Sequence, residues 1–330
     1  TVRFGAVIGN PPYQISDGGA QASAKPIYQE YIKLGKKLST LYMTIISPSR
    51  WFTGGKGLDK FRLEMLEDSR FRKIVDFSDS KDCFTDVEIK GGVNYFLWDT
   101  SYDGECIVIN MLENKKISTQ RKLKEKNLDI FIRYNILHGI FKKVCDEKIQ
   151  GFNSLVSSRK PFGLDTNTEI SEIQNNDSIV IYGNSKIGYI DKSKVIKCLD
   201  VSEKNKIFIS YAYGAGEGFP HQIINKPFIP VKNSVCTETY LVISPFESEE
   251  EVNNALKYMY TKFFRSLVLV AKNSQHATSK TYRFVPVQNF TNNSDIDWSK
   301  SINEIDEQLF DKYGLSIEER EYIKSSIKDM

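Results

Sequence analysis

Phe4-Gly5-Ala6-Val7-Ile8-Gly9 runs directly into Asn10-Pro11-Pro12-Tyr13. The apolar run has the length of a buried strand. The prolines end it in a rigid turn, because each locks φ and carries no N–H. Asn10 and Pro11 each precede a proline, which pushes both toward extended backbone. The turn therefore offers three groups with little internal competition: the Asn10 side-chain oxygen, the Pro11 main-chain oxygen and the Tyr13 ring. Two acceptors beside a π face suit a flat group that bears an amine.

Three more apolar runs follow, at residues 41–46, 73–77 and 92–98, with helix candidates at 26–38 and 58–69. Strands alternating with helices predict an open α/β sheet. Ligands of such sheets sit at the carboxyl ends of the strands, where the Asn10 turn falls. A chain of 330 residues has room for two domains. It carries a net charge of +3 and 40% hydrophobic residues. No apolar run reaches the length of a membrane span. Cys83, Cys106, Cys145, Cys198 and Cys236 lack CxxC spacing, so neither a disulfide framework nor a metal site is expected. A reduced, cytoplasmic compartment is the expectation.

The form Val7-Ile8-Gly9-Asn10-Pro11-Pro12-Tyr13-Gln14 resembles the catalytic motif of amino-methyltransferases. It is close to that of the adenine-specific (N6) DNA methyltransferases of type II restriction–modification systems. Ile45-Ile46-Ser47-Pro48-Ser49-Arg50-Trp51, and Phe84-Thr85-Asp86-Val87 followed by residues 89–93, resemble later segments of that family. Residues 213–222, Lys226-Pro227-Phe228, residues 235–240, Lys262-Phe263-Phe264-Arg265, Gln275-His276-Ala277 and residues 282–286 resemble its target-recognition half.

The resemblance implies a partial doubly wound, Rossmann-like methyltransferase sheet followed by an α+β target-recognition domain. It implies duplex DNA as partner and S-adenosylmethionine as methyl donor. Asn10 and Pro11 would accept the two amine hydrogens of a flipped adenine, Pro12 would keep the turn rigid, and Tyr13 would stack on the base. Phe84 is a second stacking candidate and equally a cap on the sheet core; Trp51 reads as core. Arg50 is a candidate for a phosphate. Arg159, Lys160, His221, Gln222, Lys272, Gln275, His276 and Lys280 form a pool of DNA-contact candidates. The motif also occurs in enzymes that methylate a glutamine amide. A non-catalytic DNA-specificity module, or a methyltransferase acting on RNA or protein, are the other readings.

The expected plan is a catalytic half at 1–112, a Lys-rich linker at 113–127, a recognition domain at 128–294 and a helical tail at 295–330. One helix is expected at 128–148 and another at 248–270. No glycine-rich turn with its following acidic residue precedes Asn10. The cluster Gly214-Ala215-Gly216-Glu217-Gly218 is followed too soon by Pro220 to open a helix. The chain thus reads as the C-terminal part of a longer protein, inactive alone and without its own donor site. The missing N-terminal part, or a second copy, is expected against the exposed first strand.

Overall fold

A computed structural model describes residues 3–15, 25–55, 57–84, 89, 91–112, 115–126, 128–145, 150–213, 220–272 and 277–330. The chain divides into two compact units, Thr1–His138 and Gly139–Met330.

The first unit begins with β1 (Phe4–Gly9), which ends at the Asn10 turn. A short antiparallel pair follows, β2 (Gln14–Ile15) with β3 (Lys25–Pro26). Then come α1 (Tyr28–Leu38), β4 (Ser39–Pro48), α2 (Asp59–Leu66), β5 (Phe71–Phe77), β6 (Val93–Asp99), β7 (Cys106–Leu112) and β8 (Lys115–Arg121). Six strands make a mixed sheet in the order β1-β4-β6-β5-β7-β8. β1 runs parallel to β4, and β5 parallel to β7. β6 inserts antiparallel between β4 and β5.

Register aligns the apolar residues on one face. Val7 lies beside Met43 and Met43 beside Trp98, while Ile45, Phe96, Ile74 and Val108 form a second row. Tyr28 and Ile32 of α1 and Phe61, Met65 and Leu66 of α2 pack on that face in one core. Gly35 lets α1 lie close to β4, since a Cβ there would stand 2.6 Å from Met43 Sδ. On the opposite face the β1 end of the sheet is open: Ile8 is 80% exposed, and Tyr42 and Tyr95 are also exposed.

Residues 113–127 are not a linker throughout. Lys115–Arg121 pairs with β7 as the edge strand β8. Its alternation, obscured by the lysines around it, turns Arg121 inward. The Arg121 guanidinium is buried, donating to Asn135 Oδ1 (3.0 Å) and the Ile132 carbonyl (2.6 Å) over the Phe131 ring. The helix expected at 128–148 is shorter, α3 (Asn135–Val144), and runs across the unit boundary.

The second unit holds β9 (Ser178–Tyr182) and β10 (Ile187–Asp191), the expected hairpin, with β11 (Asn205–Ser210), β12 (Ser234–Cys236) and β13 (Tyr240–Phe246). β12 adds parallel to β9, and β11 pairs with β13. Phe162, Ile181, Phe208, Val235 and Val242 fill the core between them. Residues 248–270 break into α4 (Glu249–Tyr260) and α5 (Lys262–Ala271) at Thr261. Thr261 is extended, and its side chain accepts from Phe264 N. The buried Asp306 carboxylate accepts from Lys262 N (2.9 Å) and Phe263 N (2.8 Å). Unpaired N–H groups at a helix start need such acceptors, so two caps outweigh the continuous hydrophobic stripe. Asp306 belongs to α6 (Ile302–Lys312), which precedes α7 (Ile317–Ser326); both carry capping boxes. Ile305, Leu309, Phe310 and Ile323 are buried. The expected tail is therefore an integral layer of this unit.

Burial raises the Asp306 carboxyl to about 6, against the backbone N–H groups and Arg265, which favour its charge. The folded unit then holds that proton more tightly than the unfolded chain. Unfolding free energy measured in urea should accordingly fall as pH rises from about 4 through 6. Asp306→Asn should flatten that slope. Asp306→Ala, which orphans two buried N–H groups, should cost roughly 2–4 kcal/mol.

Candidate functional site

The carboxyl ends of β1, β4 and β5, and the start of the reversed β6, meet at one end of the first unit's sheet. Asn10 and Pro12 are exposed there, and Pro11 and Tyr13 are half-buried. Among the described residues, neither the Asn10 side chain nor the Pro11 carbonyl has a hydrogen-bond partner. The Tyr13 carbonyl accepts from Ile27 N at 3.2 Å, which ties the turn to the start of α1. The Tyr13 ring packs on the core while its hydroxyl, also buried, has no partner among the described residues. Burial, with a smaller push from the Cys83 thiolate, raises that phenol to about 12, so it stays neutral at working pH. Cys83 immediately precedes Phe84, which is half-buried and whose N–H donates to the Ser80 carbonyl at 2.7 Å. The turn after β5 thus brings Phe84 to the same end of the sheet as Tyr13.

Arg50 is exposed in the 3₁₀ turn Ser49–Phe52, while Trp51 is fully buried against Phe52, Phe61 and Phe131. Trp51 is core, as expected. Several buried polar atoms at this end have no partner among the described residues: Tyr13 Oη, Gln29 Oε1, Ser47 Oγ, Trp51 Nε1 and Asn94 Oδ1. Interiors rarely leave such atoms unmet.

Beneath the turn lies a network that sequence reasoning missed. The buried Asp76 carboxylate accepts from Ser49 Oγ (2.6 Å) and takes two hydrogen bonds from Arg133, at 2.6 and 2.9 Å. Asn94 Nδ2 donates to Ser49 Oγ (3.2 Å) and to the Ser47 carbonyl (3.3 Å). The network fastens the ends of β4, β5 and β6 together. Asn94, a polar residue inside an apolar strand, was the available signal. Nothing local pairs Asp76 with Arg133, 57 positions away.

Residues 1–84 match the Eco57I restriction-modification methylase family. The matched segment contains the Asn10 turn, Arg50 and Phe84. The chain is 32% identical over 145 residues to an uncharacterized adenine-specific methylase of Mycoplasma pneumoniae, a match covering 43% of this chain and 34% of the relative. The chain therefore spans about a third of that relative's length. Among solved structures, the type IIG restriction endonuclease BpuSI aligns with 92% of this chain and 49% of its own, at 12% identity and a TM-score of 0.41. The type IIL restriction-modification enzyme MmeI, solved in complex with DNA, aligns with 97% and 57%, at 10% identity and a TM-score of 0.43.

The DNA-contact candidates outside the matched segment lie in the second unit and separate by environment. Arg159 and Lys160 face the Glu238 carboxylate, at 2.9 and 3.6 Å. Lys272 Nζ donates to the carbonyls of Ile223 (2.5 Å) and Tyr213 (3.4 Å), which makes it a strut between two loops. The His221 backbone pairs with the chain at 326–328, and the Gln222 side chain turns back to the Ile224 carbonyl. Lys280 is exposed. Gln275 and His276, like the glycine cluster at 214–218, lie outside the described residues. Among the described residues no group of three or more His, Cys, Asp or Glu is placed to hold a metal ion. No helix among them is long and apolar enough to cross a membrane.

Gly92 tests the network. Its φ is +73°, and an added Cβ would stand 2.1 Å from the Phe77 carbonyl and 2.6 Å from Arg133 Nη2. Gly91 has φ +89° but open space. Gly92→Ala should lower stability by more than about 2 kcal/mol in chemical denaturation, and Gly91→Ala by about 1.

Proposed function

We propose that the intact protein is a site-specific DNA methyltransferase of a restriction–modification system, transferring a methyl group to the N6 amine of an adenine flipped out of duplex DNA. The observation that carries this reading is the pair of unpartnered acceptors, Asn10 Oδ1 and the Pro11 carbonyl. They stand beside the Tyr13 ring at a strand's carboxyl end, within a segment that matches a methylase family. Accepting both amine hydrogens holds the nitrogen lone pair out of conjugation with the ring and aims it outward. S-adenosylmethionine, the donor substrate, brings a methyl group activated by its sulfonium, so the amine needs no dedicated base. Pro12 keeps the two acceptors from collapsing onto backbone donors. Tyr13 stacks on the base, and Phe84 supplies a second ring. Base–aromatic stacking is worth roughly 1–3 kcal/mol, which offsets much of the few kcal/mol that unstacking costs. The described residues hold no glycine-rich turn and acidic partner fitted to the donor, so we assign donor binding to none of them.

In the intact protein, Asn10→Ala should lower turnover by on the order of 10²- to 10³-fold, the loss typical when one preorganised polar group is removed from a reacting centre. DNA affinity in a filter-binding titration should change little. Equal loss of both would contradict the assigned role.

We also propose that the open end of the sheet beside β1 is a protein contact. Ile8, Tyr42 and Tyr95 expose apolar surface there, and β1 is an edge strand among the described residues. Uncovered edges of this kind pair readily. In a light-scattering concentration series the chain should associate, and Ile8→Lys should reduce that association. A monodisperse monomer at all concentrations would overturn the proposal.

A further inference from the structure

Arg159, in the second unit, is exposed yet held in one orientation. Its guanidinium carbon lies 5.0 Å over the Tyr211 ring, and its Nη2 stands 2.9 Å from Glu238 Oε2. Both anchors are themselves fixed. Tyr211 N donates to the Thr239 carbonyl at 2.8 Å, and the Tyr211 carbonyl accepts from Ala277 N at 2.9 Å. Glu238 N donates to the Leu164 carbonyl at 3.0 Å. The second carboxylate oxygen of Glu238 accepts from Thr166 N (3.3 Å) and Thr166 Oγ1 (3.0 Å). Lys160, beside Arg159, adopts the left-handed backbone (φ +58°) that turns its side chain toward the same carboxylate.

Charge decides what such a group can recognise. Arg159 and Lys160 are matched by Glu238 and by Asp165, the latter 3.9 Å from Lys160 Nζ. The cluster sums to zero formal charge, and a carboxylate in contact with the guanidinium repels a phosphate. A phosphate grip is therefore a poor fit. The donors are not used up, however. Arginine has five N–H groups, and Glu238 faces Nη2 alone among the described residues, so one Nη2 hydrogen remains side by side with the N–H of Nε or of Nη1. What remains is a planar donor edge, oriented by a ring and a carboxylate and stripped of net charge. Its complement is a neutral edge with two adjacent acceptors. Guanine presents one in the major groove, at O6 and N7.

We propose that Arg159 reads a guanine in the recognition sequence, with Glu238 and Tyr211 as its positioning residues. The inference rests on the reading that this protein acts on duplex DNA, and it names one base of the site.

The test is selection of binding sites from a random duplex DNA library by the intact protein, for wild type, Arg159→Ala, Arg159→Lys and Glu238→Gln, with N6-methyladenine assayed separately. Wild type should enrich a motif containing guanine. Arg159→Ala should lower the preference for guanine at one position roughly 10- to 100-fold and leave the other positions intact. Arg159→Lys should do the same, because lysine cannot offer two coplanar donors. Glu238→Gln should relax that position partially at unchanged Tm. Three outcomes would overturn the proposal. One is an unchanged motif in Arg159→Ala. Another is uniform weakening on all sequences with a shallower salt dependence, the behaviour of a phosphate contact. The third is no motif enriched by wild type. A motif that relaxes as described, without any N6-methyladenine, would uphold the guanine contact and reject the methyltransferase reading.

Discussion

A carboxylate buried at the end of a sheet has to be matched, and the arrangement around Asp76 follows from that requirement. Arg133 meets it with two hydrogen bonds and Ser49 with a third. Removing one partner of such a buried pair typically costs about 3–5 kcal/mol, far more than the pair contributes over an apolar replacement. The ion pair is better understood as a device for position than for stability. It locks the turns after β4 and β5 to the start of β6, and the Asn10 turn sits at the same end of the sheet. Rigid support is what two acceptor atoms need if they are to hold an amine in a single direction.

Parts of this were legible in the chain. The run from Phe4 to Tyr13 announced a strand stopped by a rigid turn, because proline acts locally and irrespective of its surroundings. The runs at 41–46, 73–77 and 92–98 became β4, β5 and β6 for the same reason: their apolar spacing encodes one buried face. Their order did not show, since β6 reverses between β4 and β5 and nothing in its composition signals direction. β8 reads as a linker in sequence because lysines hide its alternation, and its inward arginine finds its partners only in the fold. Residues 248–270 carry a continuous apolar stripe, yet the helix breaks at Thr261. The acceptor responsible, Asp306, lies more than forty residues away.

Among the candidate residues, type alone leaves the surroundings unstated. Lys272 looks like a DNA contact in sequence, but its ammonium is engaged by two carbonyls. Arg159 and Lys160 look like a basic patch, but Glu238 neutralises their surroundings. Charge on a residue therefore says little until its neighbours are known. The same caution favours Asn10 and Pro11. Their acceptors are unpartnered among the described residues, in a region where buried polar atoms already lack partners.

The central claim is that this turn directs methyl transfer to an exocyclic amine of adenine. The most direct measurement is nucleoside mass spectrometry of duplex DNA after incubation with the intact protein and S-adenosylmethionine. The account predicts N6-methyladenine as the only new nucleoside, and none from Asn10→Ala protein that still binds DNA. Methylation at a cytosine instead, or undiminished N6-methyladenine from Asn10→Ala, would contradict it.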